Sequence, residues 1–424
     1  MFTIAGKYTN ASFVNHPAFT NPVAIMSDCH TGKGSCIGFT MKLTDKLIPA
    51  VVGVDIGCGL TSAKTTESEV SLEELERRIR KRVPFGQDVR ETPAIHMRDQ
   101  FPWHTAQVLS EKFARSYLGV YGTSRGVPHY SMDWLEERVD ELGGNLRRVI
   151  NSLGSAGSGN HFLEVGKDTH GNIWYTVHSG SRNLGKKVCE YWQERAIGRL
   201  RRSGKKERQE DIAKLKETYK GEELYKKIKE LKEQPVSSVP YPDEQLWLEG
   251  EDAWGYLMDM IFCQVYATMN RNLIIKDMLE ASDSVSTEQI ETVHNYIDFR
   301  DMTIRKGAVR SYVGEQLLLP YNMRDGILLC EGKSCPDWNC SAPHGAGRVM
   351  SRSQAKKRVD IARFKEQMIG IYSTSVGRGT LDEAPDAYKD PKTIEEAIQP
   401  TVTILDRIKP LMNMKDSLGD NSDA

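Results

Sequence analysis

Chemistry is first legible in this chain at two histidines separated by a short β-forming ribbon. His161 closes the glycine-rich run Gly154-Ser155-Ala156-Gly157-Ser158-Gly159-Asn160, and His178 sits in Val177-His178-Ser179-Gly180-Ser181-Arg182. Between them, Phe162-Leu163-Glu164-Val165 and Ile173-Trp174-Tyr175-Thr176-Val177 are rich in strand formers, and Lys167 to Asn172 has turn composition. A hairpin about that turn is expected to set His161 and His178 directly opposite each other, close enough to share a small ion.

A second metal-competent segment is Val51-Val52-Gly53-Val54-Asp55-Ile56-Gly57-Cys58-Gly59. Val51 to Ile56 reads as a short buried strand. A carboxylate there is costly unless it is paired or binds a cation. Flanking glycines predict a bend that aims Asp55 and Cys58 into one site. A soft thiolate, a hard carboxylate and imidazoles together suit zinc or a first-row metal. The plainer reading is a turn-capping aspartate and an apolar filler cysteine.

Three further pieces carry histidines. His294 follows Glu288 to Val293, a predicted strand that ends at it; alone, such a histidine is more often a core residue than a ligand. Asp28-Cys29-His30 precedes Thr31-Gly32-Lys33-Gly34-Ser35, a basic glycine-rich loop suited to phosphate oxygens, though not a Walker A motif. Pro343-His344-Gly345-Ala346-Gly347-Arg348 leads into a basic stretch read as a helix starting near Gly347. His344 would then lie just ahead of a helix N-terminus, where backbone N–H groups favour anions, and could attack a phosphorus centre. The bland alternative is a turn histidine beside a solvated basic helix.

In this order, Gly-Val-Asp-Ile-Gly-Cys-Gly, Gly-Ser-Gly-Asn-His-Phe, His-Ser-Gly-Ser-Arg, His-Asn-Tyr, Arg305-Lys306-Gly307-Ala308 and His-Gly-Ala-Gly-Arg resemble the RtcB family of GTP- and manganese-dependent RNA ligases, from about Asp28 to Lys415. The resemblance implies that Cys58 bridges two Mn2+ ions, with His161 and His178 completing one site and Asp55 and His294 the other. It implies that His344 attacks the α-phosphate of GTP and becomes guanylylated. Asn160, Phe162, Glu164, Ala346, Gly347 and Lys415 would surround the nucleotide. Arg182, Lys306, Arg348 and Arg352 would meet RNA and nucleotide phosphates, and Asp28 and His30 match an Asp-x-His beside the metals. The implied reaction opens any 2′,3′-cyclic phosphate to a 3′-phosphate, moves GMP onto it, and lets a 5′-hydroxyl attack with release of GMP. The competing class is a dinuclear phosphoesterase that opens cyclic phosphates without joining ends; it needs the metal ligands but not His344.

Two stretches depart from the family. Its Pro-Gly-Ser-Met-Gly run near the purine pocket is replaced by Leu319-Pro320-Tyr321-Asn322-Met323-Arg324-Asp325-Gly326. Tyr321 and Arg324 are much larger than glycine, so a rearranged loop or a shifted nucleotide preference is expected. The usual terminal Lys-Gly pair is matched only by Lys415, with 416–424 expected to be a disordered tail. These departures point to a divergent paralogue serving RNA repair instead of housekeeping splicing.

The chain has 424 residues, with 57 Lys+Arg against 58 Asp+Glu. RNA binding must therefore rest on local basic surface. No apolar run approaches the roughly 20 residues of a membrane span, and no signal-peptide pattern opens the sequence. Scattered cysteines fit a reducing cytoplasm, with Cys335 and Cys340 read as spare thiols. A monomer is expected, with a stimulating partner protein not readable from sequence.

The expected fold is α+β: a single domain over 1–415 with a mixed, largely antiparallel β core, surrounding helices and a charged helical insertion at about 185–250. Helices are predicted over Ser71 to Val83, Met132 to Leu153 and Trp254 to Met278, the last with polar Asn270-Arg271-Asn272 facing the site. Strands are predicted around Ile37, Val51, Val165, Val177, Val293, Ile304 and Leu318. The insertion, basic at Arg199, Arg201, Arg202, Lys205, Lys206 and Arg208, reads as a solvated helical pair; the sharper reading is an arm touching RNA backbone.

Overall fold

The computed structural model describes residues 15–65, 71–233 and 239–416. Its strands are β1 (Val23–His30), β2 (Ile37–Lys42), β3 (Gly59–Thr65), β4 (Phe162–Lys167), β5 (Ile173–Ser179), β6 (Ser286–Val293), β7 (Asn295–Ile297), β8 (Thr303–Lys306), β9 (Ala308–Arg310), β10 (Gln316–Pro320), β11 (Ile327–Gly332), β12 (Ser341–Pro343) and β13 (Val402–Met414). A seven-stranded sheet runs β10-β11-β13-β4-β5-β3-β6, a four-stranded one β1-β2-β8-β7, and β12 pairs with β9. These ladders are antiparallel throughout, so the α+β expectation holds.

Strand parity decides what the large sheet shows to each side. Leu163 and Val165 of β4, Tyr175 and Val177 of β5, and Met412 and Met414 of β13 pack in one apolar layer with Ile274, Ile275 and Met278. Those last three belong to the helix Gly250–Ala281, which is buried over most of its circumference, as an internal helix must be. The alternate residues Phe162, Glu164 and His178, with Asn413 of β13, face a cleft on the other side. A bulge at Leu411 sets this parity: Pro410 pairs with Gly166, but Met412 pairs with Val165 and Asn413 with Glu164. Proline, lacking an N–H, is tolerated there because the ladder is already interrupted.

The helix predicted over Ser71 to Val83 is Leu72–Arg82, burying Leu75 and Ile79. The one predicted over Met132 to Leu153 is two, Met132–Glu141 and Leu146–Asn151, because Gly143 turns left-handed (φ +61°) between them. Val51 lies in no strand: Pro49–Val52 is one helical turn, started by its proline, and Asp55 follows in a loop. The charged segment expected at about 185–250 contains a helix Arg182–Thr218 followed by Gly221–Glu233. Arg201 is already engaged, pairing with Asp243 at 2.8 Å and donating to the carbonyls of Val239 and Tyr241. Arg199 pairs with Glu249 at 3.0 Å. The side chains of Arg202, Lys205 and Lys206, and the tail beyond Asp416, lie outside the described residues. Among the described residues no helix is long and apolar enough to cross a membrane.

Candidate active site

Four separate segments bring their ligand-type atoms together beneath the cleft. Cys58 Sγ lies 3.2 Å from His178 Nε2 and 3.5 Å from His161 Nε2. His178 Nε2 is 3.3 Å from His294 Nε2, and His161 Nε2 is 2.8 Å from Asp55 Oδ2. The result is two triads sharing one sulfur, Cys58/His178/His294 and Asp55/Cys58/His161, each with donor atoms within 4.8 Å. The pairing implied by the resemblance, His161 with His178 and Asp55 with His294, is therefore not the one the side chains adopt. The hairpin register explains the change. Phe162, not His161, is opposite His178, so His161 stands one residue outside the ladder and reaches toward the Asp55 loop.

The main chain fixes both ring orientations. His161 Nδ1 is 3.0 Å from the Ala156 carbonyl and His178 Nδ1 is 3.1 Å from that of Asn160. A carbonyl only accepts, so each Nδ1 carries a proton and each Nε2 is turned toward the shared sulfur, that of His161 also facing the Asp55 carboxylate. Burial pushes the His178 and His294 imidazoles well below their usual range, helped by neighbouring imidazoles. Burial and Asp55 push the Cys58 thiol up. Burial would raise the Asp55 carboxyl, but His161 and then Cys58 and Arg182 hold it down. Asp55 Oδ1 and His294 Nδ1 are buried without a hydrogen-bond partner. Buried imidazoles, a buried carboxylate and orphaned polar atoms crowded around one sulfur are costly on their own, and a divalent cation offsets that cost. Close approach requires glycine here: a Cβ on Gly157 (φ +97°) would sit 2.6 Å from His161 Nδ1.

His344 stands beside this cluster, its ring centroid 4.9 Å from that of His294. Its Nδ1 is 2.6 Å from Asp28 Oδ2, which also accepts its backbone N–H at 3.1 Å. His30 stacks at 6.3 Å, lowered to about 4 by burial, with the backbone carbonyl of Asp28 opposing and His344 adding to the fall. No helix starts behind His344. It follows β12, and the basic helix is Arg352–Arg358, opened by a capping box between Ser351 and Gln354. That box is why Gly347 does not begin the helix.

The cleft has a volume of about 810 Å³ and includes Asn160, Phe162, Glu164, His344, Ala346, Gly347, Arg348 and Lys415 in its wall. Two expected phosphate contacts are not in that wall. Lys306 is buried and donates to the carbonyls of Lys33, Ser35 and Ala50, tying the glycine-rich loop to the Pro49–Val52 turn; burial lowers it to about 8. Arg182 donates to Ser155 Oγ and the Gly86 carbonyl behind Asp55. Tyr321 does line the cleft, its hydroxyl 3.2 Å from Glu395, whereas Arg324 pairs with Asp325 at 2.8 Å and stays outside.

Sequence reasoning missed Glu383. This buried carboxylate receives Lys415 Nζ at 2.8 Å and Arg352 at 3.0 Å, with Arg348 at 3.4 Å. Burial opposes its charge, yet Lys415, Arg352 and Arg348 hold it down to about 2. The only signal was an acidic pair, Asp382-Glu383, between Leu381 and Ala384-Pro385. Glu164 goes the other way, pushed up to about 8 by burial despite Asn413 at 2.8 Å.

Thiol, imidazoles and carboxylate gathered beneath a cleft with a carboxylate-backed histidine and a cationic wall define a class: a buried metal-donor cluster opening onto an anion-accepting cleft. A family model described as tRNA-splicing ligase RtcB matches residues 10–416. The chain is 27% identical to the RNA-splicing ligase RtcB of Escherichia coli (strain K12), covering 94% of this chain and 91% of that protein. It is 27% identical to the tRNA-splicing ligase RtcB of Methanococcus maripaludis, covering 88% and 82%. The chain belongs to the RtcB family.

Proposed function

We propose that this protein is an RNA ligase that joins a 3′-phosphate or 2′,3′-cyclic phosphate end to a 5′-hydroxyl end, using GTP and Mn2+. The observation that carries the reading is the 2.6 Å approach of Asp28 Oδ2 to His344 Nδ1, next to the donor cluster. Asp28 keeps the proton on Nδ1, so Nε2 is free to attack the α-phosphorus of GTP, with the bond to the β-phosphate oxygen breaking and pyrophosphate leaving. A 3′-phosphate oxygen then displaces the imidazole and takes GMP. The 5′-hydroxyl attacks the activated 3′-phosphate, and GMP departs. Arg348, Arg352 and Lys415 line the cleft and would oppose the charge that builds on the phosphates.

Asp55, Cys58, His161, His178 and His294 would hold two divalent first-row metal ions, the thiolate and imidazoles suiting zinc or iron and the carboxylate the harder manganese. When bound, the metal supplies Lewis-acid polarisation of phosphoryl oxygens. All eight cysteines are free, in keeping with a cytoplasmic enzyme.

Incubation with α-labelled GTP and Mn2+ tests the reading. Covalent label on the wild type and none on His344→Ala, with metal binding kept, is the expected result. Cyclic-phosphate opening without label under any divalent metal would establish the phosphoesterase instead.

A further inference from the structure

The helix Gly250–Ala281 carries two adjacent polar side chains, Asn270 and Arg271, that are completely buried. Both spend their hydrogen bonds on the backbone that delivers the metal donors. Arg271 Nη1 donates to the carbonyls of Gly57 (2.7 Å) and Ser179 (2.9 Å). Gly57 immediately precedes Cys58, and Ser179 immediately follows His178. One nitrogen thus ties together the two chains whose side chains meet at 3.2 Å. The rest of the guanidinium is also engaged: Nε donates to Thr61 Oγ1 at 3.2 Å, and Nη2 pairs with Glu291 at 2.7 Å.

Asn270 serves the other triad. Its Oδ1 accepts the N–H groups of Gly154 (2.8 Å) and Ser155 (3.2 Å). Its Nδ2 lies 3.0 Å from Ser179 Oγ, which donates to the Ala156 carbonyl at 2.8 Å. That carbonyl holds His161 Nδ1. An unbroken chain therefore runs from Asn270 through Ser179 and Ala156 to His161. A buried guanidinium and amide are expensive unless every group is satisfied, and here the acceptors are the ligand loops themselves.

We propose that Asn270 and Arg271 are positioning residues for the dinuclear centre, Arg271 setting the Cys58–His178 separation and Asn270, through Ser179, setting the His161 ring. The inference rests on the metal-centre reading above. Outer groups that orient ligands typically change metal affinity by ~10–100-fold when lost.

The test uses the full chain, Co2+ and Mn2+ titration by calorimetry, and the ligand-field and thiolate charge-transfer absorption of the Co2+ form. Arg271→Lys should bind metal ~10–100-fold more weakly, with an altered thiolate band. Ser179→Ala should weaken one equivalent and leave the thiolate band nearer wild type. If Arg271→Lys does not fold, Ser179→Ala decides, because it removes one small hydroxyl and keeps the backbone. Wild-type affinity and spectrum in the variants that fold overturn the inference. Cys58→Ala is the control: if it too binds like wild type, the metal-centre reading fails; if it alone loses metal, only the positioning role fails.

Discussion

Asp28 touches His344 twice with one oxygen: Oδ2 accepts its backbone N–H at 3.1 Å and lies 2.6 Å from its Nδ1. The carboxylate is fully buried, and its Oδ1 has no partner. Oδ2 thus meets the backbone N–H through a hydrogen bond and the ring Nδ1 through an ion-pair contact that lacks hydrogen-bond geometry. Asp28→Asn keeps the shape but lets an amide face Nδ1, which permits the tautomer with the proton on Nε2. Label transfer from GTP to His344 should slow by on the order of 10⁴-fold, as when an amide replaces a histidine-orienting carboxylate in a catalytic triad. Metal stoichiometry, measured on the same preparation, should not change. A labelling rate close to wild type would remove Asp28 from this role.

The shared sulfur makes a stoichiometric prediction. Cys58 belongs to both triads, His161 to one and His294 to the other. Cys58→Ala should lose both metal equivalents, whereas His161→Ala and His294→Ala should each keep one. Equilibrium dialysis with elemental analysis reads this directly. Two ions retained in Cys58→Ala would contradict the bridging position.

Glu383 is held down to about 2 by Lys415, Arg352 and Arg348 against the effect of burial, from an ordinary 4.5. A lowered folded-state value means the folded chain favours the charged form. Its stabilisation is complete above the unfolded value and is lost as pH falls from about 4.5 through about 2. The size is roughly 3 kcal/mol as an upper figure. Urea unfolding of wild type and Glu383→Gln should show a gap that is constant near neutrality and closes by that order on acidification. A gap indifferent to pH would mean the cations do not depend on its charge.

Much of the site was readable because its chemistry is local in sequence. Asp55 and Cys58 between glycines and His161 after its loop announce themselves by neighbours within a few residues, whereas His294 at its strand end is singled out only by the family resemblance. The two strands either side of the Lys167 to Asn172 turn were likewise legible, since strand formers and turn residues are local signals. What could not be read depends on register or on distant partners. One residue of hairpin register moved His161 from His178 to Asp55. Pro49 turned a valine run into a helical turn, a position where proline favours helix over strand. Lys306 sits in a family-like motif, yet three main-chain carbonyls far away in sequence claim its ammonium. Glu383 shows nothing until Lys415 and both arginines converge on it.

Glu164 shares the cleft with Glu383 but is driven the opposite way. Burial, only partly offset by Asn413 and Lys415, pushes its carboxyl up to about 8, so it keeps its proton far above the usual carboxyl range. Its Oε1 has no partner. Here the folded chain holds a proton that the unfolded chain has released once pH exceeds about 4.5. Stability contributed by this site must therefore fall as pH rises from about 4.5 to about 8, then level off. Glu164→Gln carries no titrating group and matches the protonated shape. It should be near wild-type stability at about pH 5 and gain on wild type through about pH 8, by a few kcal/mol at most. Paired urea titrations at those two pH values check it. A gap between the two proteins that stays constant from about pH 5 to about pH 8 would show that Glu164 is already ionised in the fold.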